Sequence, residues 1–327
     1  MKKLFSLLAM LTAIVLTAGA QSMQVATLSH DGSITSYTSA DALRRAYEAA
    51  VDGDVITLSS GVFNSVSFEK RITVRGAGMG VKVNDTDPYI EPTIIKGEFK
   101  IVADGTPENC FRMEGVLCAD EVDFQGLTNS QFSKCKFMSI RYNAGHGGFT
   151  DVTFINCVFE KGSFCYNSSM NFYGCYFNDI YFNRNSLFSL TNCIFEKSSN
   201  TPGSTCVFKN SVVINKEKND LSSDCSLAYN TVCIGNLSTY CSLYKTLQQN
   251  NGTVLPKDTQ FFKDGTFYQL TDEAKKYLGS DGTEVGIYGG ALPFDPTPTN
   301  PQIVKFNVAP KTTADGKLSI DIEVNAK

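Results

Sequence analysis

One short pattern limits what this chain can fold into more than any other feature: a large apolar residue, a spacer, Asn, then Cys. Aligning Lys134-Cys135, Asn156-Cys157, Gly174-Cys175, Asn192-Cys193, Asn210-Ser211 and Asn230-Thr231 gives separations of 22, 18, 18, 18 and 20 residues. That period suits one coil of a parallel β-solenoid, three short strands and three turns, and is too short for most helical repeats. Flanking columns repeat too. Two residues before the anchor stand Phe132, Phe154, Phe172, Leu190, Phe208 and Ala228; three after it stand Phe137, Phe159, Phe177, Phe195, Val213 and Cys233. Strand side chains alternate between faces, so positions one and three after the anchor are expected to fill the core, and the position between them to face water. The anchor is expected at a sharp left-handed bend, which Asn and Gly tolerate. Lys134 breaks that rule and is expected to mark an irregular coil. Asn side chains stacked about 4.8 Å apart are placed to hydrogen-bond one another along the axis.

The ends of the chain read differently. Lys2 and Lys3, the apolar run Leu4 to Leu16 and Ala18-Gly19-Ala20 match a secretory signal cleaved after Ala20. The expected location is therefore secreted, periplasmic or cell-surface. No later run is long and apolar enough to span a bilayer. A helix is expected over 40–51, opened by Thr38 with Asp41 three residues on, with Leu43, Ala46, Tyr47, Ala50 and Val51 on one face. Asp52-Gly53-Asp54 and the strand Val55 to Leu58 follow it. Gly279 to Gly290 reads as the last turn region of the solenoid, Pro293 to Pro301 as a hinge. Ile303 to Val308 and Leu318 to Val324 read as two closing strands, which either fold back as a cap or pair with a protein partner.

The helix, the Asp-Gly-Asp turn and the stretch Leu58-Ser59-Ser60-Gly61-Val62-Phe63 resemble the opening of the pectin lyase-like superfamily. The resemblance implies a right-handed parallel β-helix with its first helix capping the open end. The expected fold is therefore all-β: a signal peptide over 1–20, an N-terminal cap over 21–54, the β-helix over 55–292, and a hinge with a two-strand tail over 293–327.

Eleven cysteines in an exported chain invite disulfides, and the odd number leaves at least one thiol unpaired. Cys135, Cys157, Cys175 and Cys193 share one inward column, which favours a stack of free, compact buried residues. Coil spacing also falls within the range a disulfide accepts, so adjacent pairing stays open.

Chemistry is harder to find. A formal charge of -4 without a Lys/Arg run argues against a nucleic-acid surface. The resemblance raises acid-polysaccharide lyases and hydrolases, yet the N-T-D, D-D and R-I-K motifs of polygalacturonase-like hydrolases are missing. Gly145-His146-Gly147 alone matches a family element. A lyase would need carboxylates to hold Ca²⁺ beside an Arg or Lys base, and Asp120, Glu121 and Asp123 with Arg141 and Arg184 offer the residue types. Solvated exterior charges are the blander reading of that group. Arg141, Tyr142, His146, Tyr166 and Arg184 are the candidate substrate-binding residues, an aromatic and basic ladder suited to sugar rings if it faces outward. The reading therefore favours a binding protein for glycan or another surface partner, with a polysaccharide lyase or hydrolase as the alternative. No cofactor or metal is expected unless the lyase alternative brings Ca²⁺.

Overall fold

The computed structural model describes residues 24–325 apart from 88, 143–147, 165–167, 183–185, 197–204, 216–226, 236, 238–241, 300–301, 309–316 and 318–319. The chain is a parallel β-solenoid of about nine coils. Each coil gives one strand to a first sheet and one to a second. In the first sheet, Gln131–Ser133, Val152–Ile155, Ser169–Tyr173, Leu187–Thr191 and Thr205–Lys209 pair side by side. In the second, Val116–Phe124, Lys136–Tyr142, Val158–Phe164 and Tyr176–Phe182 do the same. These four are long enough to carry a coil around its far corner, with a register shift between Phe137 and Ser139. An antiparallel hairpin, Val25–His30 with Ser33–Thr38, precedes the first parallel strand of the first sheet and carries no solenoid repeat to announce it.

Helix α1, Ala42–Ala49, packs beside this hairpin and the first coil, where Leu43 and Ala46 join the core. No side chain caps its N-terminus. Its C-terminal end is held instead by Lys70, whose Nζ donates to the carbonyls of Tyr47 and Ala50 at 2.6 and 2.8 Å. A cation is favourable there because the last carbonyls of a helix lack internal partners. A second helix, α2 (Ser242–Gln249), packs on the last strand of the first sheet through Leu243 and Leu247. It was not expected from the sequence.

The bends follow the repeat. Lys134, Asn156, Gly174, Asn192, Asn210 and Asn230 all take positive φ, between 46° and 60°. Lys134 sits in the same left-handed bend as the asparagines, so it marks no irregular coil. Gly115 and Asn251 extend the series by one bend at each end. Inside, the columns are ladders of parallel rings: Phe132, Phe154 and Phe172 stack with centroids 4.8 and 5.1 Å apart, and Phe137, Phe159 and Phe177 at 5.3 and 5.1 Å.

The cysteine column is buried, and its thiols are free. It does more than fill space. Cys175 Sγ lies 3.4 Å from the Tyr173 carbonyl and accepts from the Cys157 N–H at 3.4 Å. Ser211 repeats the arrangement with its hydroxyl, which donates to the Lys209 carbonyl at 2.9 Å and accepts from the Cys193 N–H at 3.0 Å. Thr231 Oγ1 accepts from the Ser211 N–H. The column thus pairs the buried N–H that follows three of the bends, at Cys157, Cys193 and Ser211, which explains why Cys gives way to Ser and Thr and to no aliphatic residue over this stretch.

The last solenoid strand, Thr253–Leu255, ends the second sheet. Residues 256–299, here called the strap, then run back along the solenoid over the line of bends. Gly279 to Gly290 belongs to this return and is not a further coil. Ser280 N–H donates to Asn210 Oδ1 at 2.9 Å, Asn192 Nδ2 to the Gly286 carbonyl at 3.4 Å, Asn156 Nδ2 to the Pro293 carbonyl at 3.1 Å and Lys134 Nζ to the Thr297 carbonyl at 2.6 Å. The bend side chains therefore tie down the strap and do not bond to one another along the axis. Close approach explains the strap's glycines: a Cβ on Gly290 would stand 2.6 Å from Asn192 Oδ1, and one on Gly279 2.7 Å from Asn210 Cγ.

The strap also overturns one expectation. The column between Cys and Phe, namely Val158, Tyr176, Ile194, Val212 and Val232, faces out of the solenoid but not into water. It is buried under Phe261, Leu270, Ala274, Val285, Ile287 and Phe294 in a second apolar cluster, separate from the solenoid core. Beyond the strap, Gln302–Val308 and Ile320–Asn325 pair antiparallel as a separate two-stranded sheet.

Candidate functional site

With its opening stretch covered by the strap, the second sheet presents the later part of its outer face, over the strands Val116–Phe124, Lys136–Tyr142, Val158–Phe164 and Tyr176–Phe182. Register places one polar or aromatic residue per coil there. Lys100 pairs with Asp123, and Asp123 with Arg141. Ile140 pairs with Gly162, which sets Arg141 beside Ser163, and Ser163 pairs with Tyr181. A second column runs alongside, with Glu121 beside Ser139 and Lys161 beside Asp179. Adjacent strands in a sheet are about 4.8 Å apart, so each column is an evenly spaced row.

Asp123 is the unusual member. It is 3% exposed although it lies on the outer face. Its Oδ2 accepts from Gln125 Nε2 at 2.6 Å, and its Oδ1 is buried without a hydrogen-bond partner. A buried carboxylate oxygen left unpaired is costly, and most such groups in native proteins have a partner. Arg141, exposed, forms an ion pair with Glu121 at 2.8 Å. The acidic group seen in the sequence therefore divides. Asp120 Oδ2 accepts from the Gly97 N–H at 2.7 Å, a structural role; Glu121 holds Arg141; Asp123 is buried and is not a solvated exterior charge.

Of the candidate residues, Arg141 stands on this face. Tyr142 is level with Phe124 in backbone register. The Tyr142 side chain, His146, Tyr166 and Arg184 lie outside the described residues. Lys100, Ser163 and Tyr181 were missed as members of the row. The signal that could have found them is the coil register itself, but Lys100 lies one coil before the bend at Gly115 and two before the first anchor, at Lys134.

A second polar group closes the edge between this face and the strap. Tyr176 hydroxyl donates to Glu196 Oε2 at 2.8 Å; Tyr268, on the strap, donates to the same oxygen and lies 2.8 Å from Tyr176 hydroxyl to hydroxyl. Burial above all pushes both phenols well above their ordinary range, aided by Tyr268 and Glu196 at Tyr176 and by Glu196 at Tyr268, so both stay protonated as donors. Glu160, one residue along the same face, pairs with Lys136 at 2.7 Å and accepts from Asn178 at 3.4 Å. Among the described residues no group of three or more His, Cys, Asp or Glu is arranged to hold a metal ion.

The fold and this face define a class, a parallel β-solenoid with a polar outer face. No family model, curated protein or solved structure matches the chain.

Proposed function

We propose that the protein is an exported binding solenoid that holds a glycan along the outer face of the second sheet, over Lys100, Asp123, Arg141, Ser163 and Tyr181. The observation that carries this reading is the unpaired, buried Oδ1 of Asp123 in the middle of that row. A sugar hydroxyl is a donor that would satisfy it once the side chains enclosing it shift aside, while Arg141 and Lys100 supply donors to the ligand and Tyr181 an aromatic ring for a sugar face. Regular spacing suits a polymer, since each coil can meet the next stretch of the same chain. The parallel solenoid and the Leu58 to Phe63 stretch agree with the resemblance to the pectin lyase-like superfamily, and a fold of this kind is compatible with glycan binding.

One observation favours the second reading, a lyase or hydrolase acting on acidic polysaccharide: Glu121 and Asp123 flank Arg141, placing carboxylates beside a base of the type an elimination uses. Incubating the purified protein with a panel of acidic and neutral polysaccharides separates the two. Binding without unsaturated products or new reducing ends is expected; turnover would overturn the binding-only reading.

A further inference from the structure

We propose that the strap, residues 256–299, opens from the folded solenoid as one unit while the coils stay intact. The solenoid core is complete without it: no strap residue belongs to the core cluster, and the strap packs only in the second cluster, against the outward column Val158, Tyr176, Ile194, Val212 and Val232. The sheet ladders do not use it either, since the described strands of both parallel sheets end at Leu255. What holds the strap is a set of separate ties: Asn210 to Ser280, Asn192 to Gly286, Asn156 to Pro293, Lys134 to Thr297, the Asn210 carbonyl to Gly286 N–H at 2.9 Å, Tyr268 to Glu196, Thr299 to Glu114, and backbone bonds with the 83–85 loop, Phe267 N–H to the Val83 carbonyl at 2.8 Å and Asp85 N–H to the Gly265 carbonyl at 2.9 Å. Release breaks these and the second cluster together and leaves the ring ladders untouched. Segments with their own small set of contacts open below the global unfolding free energy. An opened strap uncovers the solenoid side of the second cluster, the five outward residues with Met79, Ile214 and Ile234, and withdraws Tyr268 from Glu196 at the border of the polar face. The strap is thus a cover over a latent apolar stripe.

Hydrogen exchange on the full chain tests this directly. The amides of Gly279, Val285, Gly286 and Phe294 are hydrogen-bonded, as are those of Val158, Tyr176, Ile194 and Val212 in the solenoid, so the two sets compare like with like. The strap set is expected to exchange first and with a common rate. Asn192→Gly keeps the left-handed bend but removes the tie, and is expected to speed the strap amides by about five- to tenfold, the worth of one hydrogen bond, with the solenoid amides unchanged. Exchange of both sets at one rate, or an equal response of both to Asn192→Gly, would overturn the proposal.

Discussion

At the bends, single residues carry constraints that the repeat alone conceals. Gly174 is the one glycine among the anchors from Lys134 to Asn230, and its neighbour explains it: a Cβ there would lie 2.4 Å from Asn156 Oδ1 and 3.0 Å from the Leu292 carbonyl. Gly174→Ala is therefore expected to destabilise the chain by about 1–3 kcal/mol in denaturant unfolding, combining left-handed strain with overpacking. At Cys175 the outcome depends on chemistry rather than size. Cys175→Ser keeps a group that accepts from the Cys157 N–H, as Ser211 does for Cys193, and should cost under about 1 kcal/mol; Cys175→Val orphans that N–H and should cost about 1–3 kcal/mol. The sequence marked the bends and the inward columns correctly because both depend on short-range geometry. It could not show that Asn side chains turn toward the strap, because that partner lies as far as 137 residues away in the chain, at Pro293.

The elements at the two ends respond to conditions in ways their contacts define. His30, on the first hairpin, bonds through Nδ1 to Asp54 Oδ1 at 2.8 Å, and Asp54 also accepts the Val51 N–H after α1. That bond, with the charges of Asp54 and Asp31, raises the His30 pKa above its ordinary 6.5. A raised pKa in the folded state means the stabilisation is fully present below 6.5 and fades as pH climbs through the folded value. Thermal melts should therefore show a small loss of stability on going from pH 6 to pH 8, and His30→Gln should abolish that slope. The cysteine column behaves differently. Burial raises the thiols of Cys135, Cys157 and Cys175, and of Cys118 in the Phe137 column, well above their ordinary range, so iodoacetamide should label none of the four until the chain unfolds. On the strap, Tyr268→Phe removes one donor from Glu196 and should lower stability by about 1 kcal/mol in a chemical melt.

Across the whole molecule, scaffold and polar outer face separate cleanly in residue type. Asn, Cys and Phe recur because successive coils share the same bend and the same inward packing positions. Asp123, Arg141, Ser163 and Tyr181 differ from coil to coil, so no periodic signal announces them. Arg141 was legible as a candidate because it falls, with Tyr142, on the strand that follows the Cys column. In the sequence Asp123 reads only as one of an acidic trio with Asp120 and Glu121, because burial on an outer face arises from packing that no local pattern encodes. The apolar outward column was legible in principle, since Val158, Ile194, Val212 and Val232 are poor choices for water-facing positions, but strict alternation argued the other way. The covering strap lies past the last coil, and Gly279, Gly289 and Gly290 read as turns although each also sits against an Asn side chain beneath it.

Titration of the protein with the polysaccharide it retains, measured calorimetrically for wild type, Asp123→Asn, Arg141→Ala and Leu187→Ala, tests the central claim most directly. Leu187 is half exposed on the first sheet and serves as the control. Asp123→Asn and Arg141→Ala are expected to weaken binding by roughly tenfold or more, the worth of a hydrogen bond to a charged group, with Leu187→Ala unchanged. Undiminished affinity in both second-sheet variants, or a loss confined to Leu187→Ala, would contradict the placement of the ligand on this face.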